Sequence, residues 1–318
     1  MHIWKSLEEI PQGFAPTVVT LGNFDGVHRG HQQILRRLAG TAAAKGARAV
    51  AITFDPHPST VHRPESAPAS IMSLADRLET MARTGIDATL VMPYSLTLAA
   101  LSAEDFVRSV FVEALGACAV VIGHDTRFGR GNAGDVGTMR DLGTQLGFDV
   151  VVIDELGNDR RWSSTWVREA LAAGDVATAA EVLGRSHHMR GEVVHGAARG
   201  RDLGFPTANL APESSGFIPA DGIYAGWLTD AAGSRWPAAV SVGSNPTFAG
   251  VSRQVEAFVM GRPHERVEDF DLYGQVVMVE FVERLRGMVA YTGPEALVDQ
   301  MNLDVRAAAG ILAAVAST

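Results

Sequence analysis

His28 and His31 stand three residues apart in the string Leu21-Gly22-Asn23-Phe24-Asp25-Gly26-Val27-His28-Arg29-Gly30-His31. Side chains at that spacing share a helix face. The string follows the apolar run Thr17-Val18-Val19-Thr20, which reads as a buried parallel strand. It precedes Gln32–Leu38, where Ile34, Leu35 and Leu38 mark one apolar face of a helix. Glycines at 22, 26 and 30 allow sharp turning and close approach of a ligand to the backbone. A helix N-terminus offers unpaired N–H groups and a positive dipole end, which favour phosphate. Gly22, Asn23 and Gly30 are therefore expected to hold a polyphosphate, with two imidazoles beside the charge that develops during transfer. The plainer alternative is a glycine-rich turn whose histidines only cap it.

A second group lies in Arg161-Trp162-Ser163-Ser164-Thr165-Trp166-Val167-Arg168. Ser163, Ser164 and Thr165 are good N-caps for a following helix. Arg168, one turn beyond Ser164, can lean back over the same end. Hydroxyls, N–H groups and a guanidinium then converge on one anion. Between the two groups, Asp55-Pro56-His57-Pro58 is a loop stiffened by two prolines, which fix where Asp55 and His57 point. In Gly123-His124-Asp125-Thr126-Arg127-Phe128-Gly129-Arg130-Gly131, Phe128 could stack on a flat ring. Arg127 or Arg130 could meet phosphate.

A third group follows Gly196: Arg199, Arg201 and Gly204 in a glycine-rich loop, then Pro206-Thr207-Ala208-Asn209. In an extended segment Thr207 and Asn209 project to one side. Two neutral oxygen ligands, joined by phosphate oxygens and water, suit magnesium. No Walker A motif is present. Glu256 is a lone carboxylate in the alternating run Val255–Val259, a pattern that ordinarily turns its polar residue to solvent.

These groups need scaffolds of two kinds. Strands expected at Pro16–Gly22, Arg48–Phe54, Ala88–Pro93, Ala119–Gly123 and Phe148–Ile153 alternate with helices around Gln32–Lys45, Ser73–Thr84, Ala103–Leu115 and Val136–Leu146. That alternation predicts a parallel sheet with helices on both faces and ligands at the strands' carboxyl ends. A helix around Val167–Ala173 and a shorter one from Asp175 close this half. From Met189 the chain changes to short strands, Gly191–His195, Gly222–Leu228, Pro237–Val242, Val255–Met260 and Gln275–Glu283, separated by turn clusters. They predict a compact antiparallel barrel. A last helix starts at Thr292-Gly293-Pro294-Glu295. The boundary falls at about residue 185, giving domains 1–185 and 186–318.

The 318 residues suit two domains. An apolar fraction of 47% suffices for packed cores, and a formal charge of -9 argues against a general nucleic-acid binder. One cysteine, Cys118, excludes an internal disulfide and a multi-thiolate zinc site. The N-terminal residues lack the apolar core of a signal peptide and no apolar run reaches membrane-spanning length, so a cytoplasmic protein is expected.

The first string resembles the GxFDGxHxGH motif of nucleotidylyltransferases, in their flavin-adenylating branch. The resemblance extends over nearly the whole chain to the bacterial bifunctional riboflavin kinase/FMN adenylyltransferases. Ser163, Ser164, Thr165 and Arg168 match the family's SSTxxR motif, and Gly200–Asn209 its kinase signature. The resemblance implies a Rossmann-like nucleotidylyltransferase domain followed by a riboflavin-kinase barrel. It implies magnesium at Thr207 and Asn209, and a catalytic base in Glu256. It further implies flavin contacts from Asp55, Pro56, Pro58, Asp125, Phe128 and Arg286, and an ATP triphosphate gripped by the SSTxxR residues. Substrates would be riboflavin, FMN and ATP, with neither nucleic acid nor membrane as partner. Two departures stand out: Thr126 replaces a family phenylalanine, and Val289-Ala290-Tyr291 replaces a charged-then-phenylalanine run.

Overall fold

The computed structural model describes residues 1–154, 157, 160–196, 204–243, 253–261, 271–289, 291 and 293–316. They form two compact units, Met1–Ser163 and Ser164–Thr318.

The first unit is a six-stranded sheet of β1 (His2–Trp4), β2 (Thr17–Leu21), β3 (Arg48–Asp55), β4 (Ala88–Pro93), β5 (Ala117–Gly123) and β6 (Asp149–Ile153). The order is β1-β4-β3-β2-β5-β6, all pairs parallel. Continuous apolar runs in β2 to β5 bury both strand faces, as a sheet covered on each side requires. Val18, Ala49, Ala51, Ala119 and Val121 pack with Leu35, Leu38 and Ala42 of α1 (Arg29–Lys45). Val19, Val50, Ile52, Val120 and Ile122 share the opposite core with Phe106, Val110, Phe111 and Met139. Two further helices matter below, α2 (Leu74–Ala82) and α3 (Val136–Leu146). The helix expected at Ala103–Leu115 starts as α over Ala103–Phe106 and continues with the wider π pattern over Val107–Ala114. Cys118 is partly buried on β5, its thiol donating to the Thr17 carbonyl. The strand order reverses beside β2, so the loops after β2, β3 and β5 gather at the switch point where α/β sheets bind ligands.

The second unit opens with α4 (Ser164–Ala173) and α5 (Val176–Leu183). A closed barrel follows, with β7 (His187–Val194), β8 (Thr207–Leu210), β9 (Gly222–Thr229), β10 (Arg235–Gly243), β11 (Gln254–Val259) and β12 (Val276–Arg286). Its order is β10-β11-β8-β7-β12-β9, with all neighbouring pairs antiparallel. The final helix, α6 (Pro294–Ala316), lays Ala308 and Leu312 on Ala225, Ala239 and Met260. Thr292, expected in its cap, lies outside the described residues.

The sequence groups α4 and α5 with the first half, whereas packing groups them with the barrel. The reason is local. α5 lies on β7 and β12, Ala220 N donates to Leu171 O at 2.9 Å, and Arg284 donates to the carbonyls of Ala173 and Asp221.

His187, 2% exposed on β7, stacks on Phe281 and bonds through Nε2 to Phe217 O at 2.7 Å. Burial lowers its pKa to about 3, against the opposing pull of that carbonyl. The unfolded chain therefore binds a proton near pH 6.5 that the folded barrel refuses. The stabilisation is complete above that pH and drains away as pH falls toward 3. Denaturant midpoints should fall steeply from pH 6.5 to 4. His187→Phe should start lower at neutral pH, lacking the bond to Phe217 O, but lose less over the same range. Parallel slopes for the two proteins would show that another group controls acid sensitivity.

Candidate functional site

The loop after β2 departs most from ordinary backbone. Phe24 (φ 50) and Val27 (φ 40) are both left-handed, a conformation that costs a non-glycine residue about 1–3 kcal/mol. Anchors on every side hold it there. Asp25 accepts from Ile71 N with both oxygens at 3.1 Å. Asn23 O receives Thr53 Oγ1 at 3.1 Å, and Val27 O receives Gln32 Nε2 at 2.9 Å. Strain so braced delivers His28 to the N-cap of α1, where its Nδ1 accepts from His31 N at 3.4 Å. The two rings stack at 3.6 Å between centroids, with Phe24 edge-on to His31 at 5.2 Å.

Two glycines fit this arrangement sterically. A Cβ on Gly30 would stand 3.2 Å from the His28 ring, and one on Gly22 3.1 Å from the Phe24 ring. The backbone of Trp162 approaches the same place, 3.6 Å from where a Gly30 Cβ would lie, and Arg29 sits over the Trp162 ring. The histidine string and the start of the Arg161–Arg168 string are thus together within the first unit.

Because His28 accepts at Nδ1, its proton belongs on Nε2. Burial first, then coupling to the neighbouring His28 ring and the charges of Arg161 and Arg77, hold the His31 pKa well below 6.5. His31 is therefore neutral at pH 7. Its Nδ1 is buried with no hydrogen-bond partner among the described residues.

The loop after β3 places Asp55 half exposed, 3.8 Å from Arg77 Nη2. Pro56 is exposed, and Pro58 opens a short helix capped by His57. In the loop after β5, Asp125 pairs with Arg161 at 2.5 Å, and Arg127 pairs with Asp135, the cap of α3. Phe128 differs from expectation. It is 4% exposed in the core, bridged to Gly134, where a Cβ would meet its ring at 2.8 Å. Its ring secures the loop and presents no free stacking face. Arg130 begins the short turn Arg130–Asn132 and its N–H donates to Leu101 O.

Ser163 ends the first unit, while Ser164, Thr165 and Arg168 belong to α4 of the second. Arg168 lies one turn after Ser164, half-buried.

On the barrel, β8 and β11 pair so that Glu256 faces Asn209 and Phe258 faces Thr207. Thr207 Oγ1 donates to Glu256 Oε2 at 3.2 Å, and Asn209 Nδ2 donates to Thr207 O at 3.2 Å. The lone strand glutamate therefore does not simply face solvent: it meets the two residues that the extended segment turns to one side. Gly196, two residues past β7, lies against Asn209, and a Cβ there would stand 2.6 Å from Asn209 Nδ2 and nearer still to Oδ1. Gly196→Ala should push the amide aside and lower the barrel's catalytic rate ~10²-fold. Chemistry in the first unit should be unchanged. A wild-type rate would mean that Asn209 placement is unimportant.

Gly204 is described, with φ +83, whereas Arg199 and Arg201 lie outside the described residues. Arg286, expected at the flavin, is engaged elsewhere. Nε and Nη2 form a fork with Asp304 of α6 at 2.9 and 2.6 Å, and Nη1 donates to Gly287 O. That fork pins α6 to the barrel and leaves the Tyr291 ring against the guanidinium. Sequence reasoning missed Arg77, a buried arginine on α2.

The comparisons fit this two-part layout. A family model for FAD synthetase matches residues 11–166 and one for riboflavin kinase matches 183–312. A curated Pseudomonas fluorescens protein, a bifunctional riboflavin kinase/FMN adenylyltransferase, is 36% identical, with 98% of each chain covered. The chain belongs to that family. Members from Escherichia coli K12 and Bacillus subtilis are 32% and 30% identical, covering 94% and 96% of this chain and 93% and 95% of theirs. A solved structure, named as a macrolide-efflux protein of Streptococcus pneumoniae, superposes with TM-score 0.83 at 29% identity, over 95% of this chain and 96% of that one. Among the described residues no helix is long and apolar enough to cross a membrane.

Proposed function

We propose that this chain phosphorylates riboflavin with ATP in its barrel and adenylylates the resulting FMN with a second ATP in its parallel-sheet domain. The reading places the functional boundary near residue 185 and the protein in the cytoplasm. The observation that carries it is the meeting of Glu256, Thr207 and Asn209 on paired barrel strands, in a chain that also holds the stacked His28/His31 pair.

The two steps ask for different chemistry. Phosphorylating riboflavin requires a primary alcohol to lose its proton as its oxygen attacks the γ-phosphorus and ADP leaves. Glu256 is the base for that proton. Thr207 and Asn209 supply neutral oxygens, and substrate phosphates complete a set that fits magnesium. Magnesium would neutralise charge building on the phosphates. Arg199, Arg201 and Gly204 are assigned to the ATP phosphates on the family signature.

Adenylylation needs no strong base, because the FMN phosphate, with a second pKa of ~6, is already largely ionised. A phosphate oxygen of FMN attacks the α-phosphorus of ATP and pyrophosphate departs. The work is alignment and charge stabilisation. His28 donates from Nε2, and the opening of α1 at Arg29 and Gly30 adds backbone N–H groups. His31 starts neutral, and an incoming triphosphate favours its protonation. Ser163, Ser164, Thr165 and Arg168 are assigned to the triphosphate, and Asp55, Pro56, Pro58 and Asp125 to the flavin, on the family motifs. Phe128 and Arg286 act on flavin binding indirectly, through the loop and the helix they hold.

The test is chromatography of flavins after incubating purified protein with riboflavin, ATP and magnesium. FAD as end product supports both assignments. FMN alone removes the first-domain assignment, and unconverted riboflavin removes that of the barrel.

A further inference from the structure

We propose that Arg77 is a positioning residue for adenylyl transfer, holding the histidine loop and the Asp55 loop in one arrangement. This rests on the reading of the first domain as the adenylylating one.

Arg77 stands on α2 and is 6% exposed. Its Nη1 donates to Asn23 O at 2.8 Å and its Nη2 to Phe54 O at 3.2 Å. Asn23 immediately precedes Phe24, the first left-handed residue of the histidine loop. Phe54 immediately precedes Asp55, the start of the proline-stiffened loop. One planar guanidinium therefore grips the backbone just before the first left-handed residue of the histidine loop and just before Asp55. Thr53 Oγ1 shares the Asn23 carbonyl, so the two grips close on the same stretch of β3.

Helix packing alone does not call for this arginine. Leu78 and Met81 already anchor α2 in the core. The buried cation makes no close ion pair with Asp55. Two carboxylates bear on it: buried Asp25, which also accepts from Ile71 N, and half-exposed Asp55 at 3.8 Å; its Nε has no hydrogen-bond partner among the described residues. Offsetting the charge of Asp25 needs only a cation, which lysine also supplies. What it could not do is span two carbonyls. Lysine carries the charge but lacks the fork needed to hold both at once.

The experiment measures FMN adenylylation and riboflavin phosphorylation separately on the full-length wild type, Arg77→Lys and Arg77→Met. We expect Arg77→Met to lose ~10²-fold in kcat for adenylylation, with KM for ATP little changed. Arg77→Lys should recover part of that loss, and kinase rates should match the wild type in all three proteins. A wild-type kcat in Arg77→Met overturns the proposal. So does a loss explained wholly by a smaller folded fraction, read from the denaturant transition. If Arg77→Met does not fold, Arg77→Lys decides: a lowered kcat supports the role and a wild-type kcat overturns it. A wild type that makes no FAD from FMN removes the reading of the domain itself, and this proposal with it.

Discussion

Riboflavin phosphorylation is expected to fall ~10²–10⁴-fold in Glu256→Gln, the range a positioned general base contributes. Conversion of supplied FMN to FAD should continue at the wild-type rate. The substitution keeps size and leaves an amide oxygen able to accept from Thr207 Oγ1, so the strand pairing of β8 and β11 has no reason to change. What it removes is the ability to take a proton. Only the first reaction breaks an alcohol O–H bond, so only the first should suffer. Following both flavins from riboflavin and from FMN separates the cases. Equal loss of both reactions would mean that Glu256 supports the fold, and an unchanged kinase would move the base elsewhere.

The second large effect concerns the paired imidazoles. His28→Ala with His31→Ala should stop the sequence at FMN, lowering FAD formation by at least ~10³-fold if the two groups supply the charge stabilisation assigned to them. Removing His28 also removes the cap of α1, so His28→Asn is the informative companion. Asparagine caps well but offers a different donor at a different reach. If capping were the whole role, His28→Asn would restore FAD formation; we expect the deficit to remain. Kinase rates should not move in either protein. FAD accumulating at the wild-type rate in the double variant would overturn the role of the pair.

Both sites were legible in large part because their residues are close in sequence or set by a simple period. The parallel strands announce themselves as apolar runs, and the observed β4 has the expected Ala88–Pro93 bounds. Thr207 and Asn209 share a side by the two-residue period of a strand, and the structure adds Glu256 across the ladder. What escaped depends on distant or backbone facts. Arg77 sits between Asp76 and Leu78 in a pattern that reads as an ordinary amphipathic helix, and nothing local shows that its partners lie 54 and 23 residues away. Arg286 carries a family position, but Asp304 claims its fork from eighteen residues on. Phe24 and Val27 adopt positive φ although neither residue type signals it. β1 is only three residues long, too short to show a period. The grouping of α4 and α5 with the barrel depends on buried faces whose partners the helical pattern alone does not name.

β8 is four residues long, yet it is where the barrel closes: two residues pair with β7 and three with β11. Thr207 and Asn209, the ligands proposed for magnesium, are half of that strand. A slip of one residue along β11 would turn both side chains to the opposite face. Closing the cylinder and setting Thr207 and Asn209 beside Glu256 therefore depend on the same register. Kinase turnover can accordingly serve as a live gauge of how many molecules in a population have the seam shut in the correct register.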